Sequence, residues 1–134
     1  MKEALKSFLY TNLLGVQLDI FEGRILVLQC FHQRDVANWN HSLPFHDPNG
    51  FILSLIFHPD KNNNIDNYAR FQSSEQFAMF KQVFVGQPEE SLMYMREFDS
   101  TLPVDLIEEY LMNLISEVYR FSSSHFLTFY VNQY

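Results

Sequence analysis

The stretch DPNGFILSLIFHPDKNNN, residues Asp47 to Asn64, decides the fold. Its first four residues are a strong turn signal, with Pro48 fixing φ and Gly50 free to take positive φ. The run FILSLIF, Phe51 to Phe57, is short, apolar and bounded by turn residues on both sides. That length and those boundaries suit a buried strand better than a helix. Pro59 has no N–H and ends the hydrogen-bonded ladder, and the polar run that follows leads the chain out of the sheet.

Within the same stretch, His58-Pro59-Asp60 followed by Lys61-Asn62 resembles the signature loop of J-domains, which stimulate heat-shock ATPases. That resemblance implies a long basic helix before the loop. Pro48-Asn49-Gly50 would break such a helix, and Phe51 to Phe57 contains no Lys or Arg. The tripeptide therefore reads as strand-ending punctuation.

Working outward, Lys2 to Leu14 reads as a helix with Leu5, Phe8, Leu9 and Leu13 on one face and Gly15 as its stop. Val16, Leu18 and Ile20 alternate with Gln17 and Asp19, a strand pattern. Glu22-Gly23 is a turn, and Ile25 to Phe31 reads as a central strand. Residues 32–47 admit two readings. Trp39, His41, Leu43 and Phe45 share one parity and allow a strand, which Pro44 restricts to an edge or bulge; a short helical turn over Arg34 to Trp39 competes. A helix is expected over Ile65 to Phe80, with Ser73-Ser74 as the weak point at which it can split. KQVFVGQPEESLMYMREF reads as a hairpin turning at Gly86-Gln87-Pro88-Glu89. STLPVDLIEEYLMNLISEVYRF is the strongest helix, with Ser100 or Thr101 as cap, Pro103 in the first turn, and Asp105, Glu108 and Glu109 complementing the dipole. The tail SSSHFLTFYVNQY is too apolar to hang free and is expected to pack. The order helix, three strands, helix, two strands, helix gives one α+β domain over residues 1–134, an antiparallel sheet with its helices on one face.

The 134 residues carry a net charge of −7, with 47% apolar and 19% charged side chains. An acidic surface disfavours nucleic acid and anionic membrane as partners. From Gly86 to Arg120 the acids Glu89, Glu90, Glu97, Asp99, Asp105, Glu108, Glu109 and Glu117 face only Arg96 and Arg120. Such a run is a solvated face or a surface for a basic partner. Aromatic residues make up 16% of the chain, and a surplus beyond the core would mark a partner site. The single cysteine, Cys30, sits in the apolar run ILVLQCF and reads as a structural thiol in a reducing compartment. The N-terminus MKEALKSFLY has no signal-peptide pattern, and no run reaches the ~18 apolar residues of a membrane span, so a soluble, cytoplasmic protein is expected.

No constellation argues for an enzyme. His41, His46, Asp47, His58 and Asp60 lie near one hairpin, but their spacing matches no metal motif and no metal or other cofactor is expected. The acid pairs Glu89-Glu90 and Glu108-Glu109 are adjacent residues, unlike two carboxylates facing across a cleft. There is no glycine-rich phosphate loop.

FLYTNLLGVQLDIFEGRILVLQC, FILSLIF, and the closing hairpin with its Leu-Pro step and last helix resemble, over Met1 to about Phe121, the class I chaperones of type III secretion, the Tir-chaperone-like fold. The resemblance implies a homodimer that holds the N-terminal segment of an effector extended over apolar patches and sheet edges. Candidate client contacts are Phe8, Leu9, Phe51 and Leu53; candidate dimer contacts are Leu106, Tyr110, Leu114 and Val118. For each of them, ordinary core packing is the plain alternative. A second reading fits the same small acidic chain: an immunity protein that neutralises a toxin domain by electrostatic complementarity.

Overall fold

The structure, a computed structural model, describes residues 1–36, 47, 49–57, 64–83, 92–120 and 127–133. Helix α1 spans Lys2–Leu9, strand β1 Val16–Glu22, strand β2 Ile25–His32, and a single helical turn, α2, Gln33–Val36. Strand β3 is Phe51–Phe57, followed by helix α3, Asn64–Ser73, and a 3₁₀ turn at Phe77–Met79. Strands β4 (Lys81–Val83) and β5 (Leu92–Phe98), helix α4 (Val104–Tyr119) and strand β6 (Leu127–Gln133) complete the described elements. The six strands form one antiparallel sheet in the order β4-β5-β3-β2-β1-β6. The fold is α+β, as expected.

The core lies between one face of this sheet and helices α1, α3 and α4. Leu5 and Phe8, Phe71, and Ile107, Leu111, Leu114, Ile115 and Val118 pack onto Leu18, Ile20, Leu28, Cys30, Leu53, Leu55 and Phe57. Fully burying one such aliphatic or aromatic side chain is worth roughly 1.5–3 kcal/mol, so this layer dominates the stability. β3 is central, and both of its faces are buried. Its odd residues Phe51, Leu53, Leu55 and Phe57 join the helical side, while Ile52 joins Phe31, Val83 and Met95 in a smaller cluster on the other. That explains a strand apolar almost throughout rather than alternating.

Several boundaries differ from the sequence expectation. α1 stops at Leu9, five residues short of Leu14, because the next carbonyls are taken from outside the helix. The Arg34 guanidinium donates to the carbonyl oxygens of Thr11 and Leu13, each at 3.0 Å, and the Gly15 N–H donates to the Asp35 carboxylate at 3.1 Å. Gly15, at φ +71°, turns the chain into β1 instead of ending the helix. The expected helix from Ile65 to Phe80 divides after Ser73, where both the N–H and the hydroxyl of Ser74 donate to the Phe71 carbonyl. α4 begins at Val104 with Pro103 as N-cap and no side-chain cap, so neither Ser100 nor Thr101 caps it. The β1–β2 turn falls at Gly23-Arg24, with Gly23 at φ +61°.

Of the two readings for residues 32–47, a helical turn forms, but at Gln33–Val36; residues 37–46 lie outside the described residues. The Gly86–Glu89 turn and His58-Pro59-Asp60 lie outside them too. The apolar tail becomes β6 and joins the edge of β1 in register from Val16↔Gln133 to Glu22↔Leu127.

Candidate binding cleft

Near the N-terminal end of β3, three segments of the chain are tied together by one buried residue. Gln33 is 1% exposed. Its N–H donates to the Gly50 carbonyl at 3.0 Å, its side-chain amide donates to the Phe98 carbonyl at 3.2 Å, and its side-chain oxygen accepts the Asp47 N–H at 3.2 Å. Asp47 extends the tie: its carboxylate accepts the N–H of Ser100 at 2.8 Å and of Asn49 at 2.9 Å. The Ser100 N–H and hydroxyl, with the Asn49 N–H, hold the Asp47 carboxyl below its ordinary pKa, because they favour the charged form. The start of β3 and the end of β5 are thus locked side by side just where the chain leaves for α4.

Gly50 is needed in this lock for a reason other than the one expected. Its φ is not positive. A Cβ there would overlap the Phe98 carbonyl oxygen and approach Gln33 Nε2 at 2.8 Å, so glycine is required by close approach of two backbones.

Beside the lock lies a cleft of about 350 Å³. Leu9 and Tyr10 at the end of α1 form one wall, Leu102, Val104 and Ile107 the other, Phe51 the floor, and Asn49, Asp99, Ser100 and Thr101 the rim. The floor is stiff. The Phe51 ring stacks on Phe98 at 4.8 Å and meets the edge of Phe8 at 6.2 Å, while Phe8 stacks on His32 at 4.2 Å. His32 Nε2 lies 2.8 Å from the Phe8 carbonyl oxygen, and burial lowers the pKa of its imidazole below the usual value. Tyr10 is 68% exposed, so its ring stands at the mouth with little support. Apolar walls beneath a polar rim suit an apolar side chain presented by a chain whose backbone meets polar groups at the edge. Among the described residues, no group of three His, Cys, Asp or Glu side chains is placed to share a metal ion. His41, His46, His58 and Asp60 are outside those residues.

Of the candidate client residues, Leu9 and Phe51 line the cleft and Phe8 supports its floor from beneath. Leu53 is fully buried at the middle of the sheet, opposite Cys30 and Arg96. Of the candidate dimer residues, Leu114 and Val118 are buried in the core. Leu106 is 51% exposed. Tyr110 is half-buried, donating to Gln76 Oε1 at 2.8 Å and packing its ring against Phe98 and the Arg96 guanidinium. The sequence did not mark Tyr10, Gln33, Leu102 or the Asp99–Thr101 rim as site residues; Ser100 and Thr101 entered it only as helix caps and Asp99 only as one acid of a charged run. The turn signal at Asp47–Gly50 was their only hint, since it marks a place where the chain must approach something closely.

Cys30 is fully buried, and desolvation raises its pKa well above that of a free thiol, in keeping with a structural role. Among the described residues, no helix is long and apolar enough to cross a membrane. No protein-family model, curated protein or solved structure matches this chain.

Proposed function

We propose that this chain is a small protein-binding module that holds an extended segment of a partner, in the manner of a cytoplasmic secretion chaperone gripping the N-terminal region of an effector. The observation that carries this reading is the cleft between α1 and the β5–α4 connection. Its apolar walls end in the exposed Tyr10, its rim is polar, and its floor is held rigid by stacked rings. Such a preformed site accepts an anchoring side chain without first paying to order itself. Among the described residues, its lining offers no paired acid and base, which favours binding over catalysis as its task.

A second reading, an immunity protein directed at a basic toxin domain, draws on the exposure of Asp99, just after β5, and of Glu109 and Glu117 on α4. An acidic face of this kind speeds encounter with a basic partner.

Isolation of the native complex from the host, with native mass spectrometry to fix identity and stoichiometry, separates the two. A two-to-one complex with the N-terminal region of a secreted protein supports the chaperone reading, and Tyr10→Ser should then weaken it by about tenfold or more, as loss of an aromatic anchor does. A one-to-one complex with a toxin domain, indifferent to Tyr10→Ser, defeats it.

A further inference from the structure

We infer that β6 is a self-association edge, at which a second copy of this chain pairs antiparallel with β6 about Tyr130 and continues the sheet across a two-fold axis. β6 is the last strand of the sheet, and no described element lies beyond it. Its seven residues, LTFYVNQ, include no charge, proline or glycine, in a chain that is 19% charged. An edge strand is normally blunted by such residues, or kept very short. The opposite edge follows the rule at its start, where β4 begins with the exposed Lys81. β6 instead leaves Tyr130 at 50% and Val131 at 38% exposure.

The pattern of β6 is complementary to itself when reversed. Centred on Tyr130, antiparallel pairing sets Phe129 opposite Val131, Thr128 opposite Asn132, and Tyr130 opposite its own copy. On the helical side of the sheet, where Val131 and Phe129 already face Leu18 and Ile20 of β1, apolar thus meets apolar next to the axis, and Leu127 meets Gln133 at the two ends. Polar pairs and the tyrosines fall on the other face, where the Phe21 ring already braces Tyr130 edge-on at 5.7 Å. Aromatic and β-branched cross-strand pairs are the favourable kind. A contact in which each residue meets its counterpart about one axis closes at two copies.

The charge of −7 on each copy does not oppose this. Asp19 is one strand inboard, opposite Tyr130, and its carboxylate accepts hydrogen bonds from the side-chain amides of Gln17, Gln29 and Asn132. The two copies of Asp19 would stand three inter-strand spacings apart, about 14 Å, beyond the Debye length at physiological salt. This inference stands independently of the cleft.

The test uses the full chain in two variants. Tyr130→Cys places one thiol on the axis, and because Cys30 is buried it is the reactive one. Paired positions in an antiparallel sheet are within disulfide reach. Mild oxidation should convert the Tyr130→Cys chain to a covalent dimer of twice the 15.9 kDa monomer. Thr128→Cys, whose partner across the axis is Asn132, should not cross-link. Separately, Val131→Lys should weaken the dimer seen by sedimentation about tenfold or more, as edge lysines do, with its circular dichroism unchanged. A chain that sediments as monomer at all concentrations overturns the inference. So does a dimer in which Tyr130→Cys fails to cross-link, or cross-links no better than Thr128→Cys.

Discussion

The backbone of Gly50 is packed against the carbonyl oxygen of Phe98 so closely that no Cβ fits between them. The carbonyl belongs to β5 and cannot withdraw without breaking the β3–β5 ladder at its Phe51↔Phe98 end. Gly50→Ala should therefore lower stability by roughly 1–3 kcal/mol, the usual cost of overpacking a tight site. The check is a lower urea midpoint with an unchanged slope.

His32 makes stability depend on pH. Burial is the chief cause of its lowered pKa, opposed by its hydrogen bond to the Phe8 carbonyl. The folded protein thus favours the neutral ring, and the unfolded chain binds the proton more readily, near the ordinary value of about 6.5. The contribution is fully present above that value and is lost as pH falls from about 6.5 through the lowered folded pKa. Urea unfolding between pH 8 and pH 5 should show this decline in the parent chain. In His32→Gln the decline should be shallower, on a lower baseline because the stack on Phe8 is gone. Parallel curves for the two chains would remove His32 from the account.

Asp19 joins the C-terminal strand to the rest of the sheet. Its carboxylate is 7% exposed and accepts the Gln17, Gln29 and Asn132 amides at 2.9 to 3.1 Å. Asp19→Asn replaces one acceptor oxygen by a donor that faces other donors, at a cost of roughly 1–3 kcal/mol. Since Asn132 lies on β6, amide hydrogen exchange in Leu127–Gln133 should accelerate more than in β3. Equal acceleration in both strands would mean that Asp19 supports the sheet as a whole.

Much of this fold could be read from the chain directly. The period-two run at Val16–Ile20, the bounded apolar run Phe51–Phe57 and the apolar stripe of α4 carry their structure in their own residues. Side-chain alternation and helical spacing act over a few positions, so nothing distant is required to interpret them. The cleft was legible only in part. Leu9 and Phe51 stood out as apolar residues on a helix and a strand, but Tyr10, Leu102 and the Asp99–Thr101 rim belong to connections that carry no period.

The sequence by itself determined the α+β class, the chain order of the first five strands, the antiparallel sense of the sheet and the buried state of Cys30. Only the tertiary structure decided where α1 ends, what Gly50 is for and where the tail goes. Each of those rests on partners far away in the chain: Arg34 on Thr11 across 23 residues, Gln33 on Phe98 across 65, Asn132 on Asp19 across 113. The physical reason is that a backbone carbonyl or amide accepts whichever partner folding brings to it. Propensity sets what a segment prefers alone, and hydrogen bonds supplied by another segment set where that preference stops.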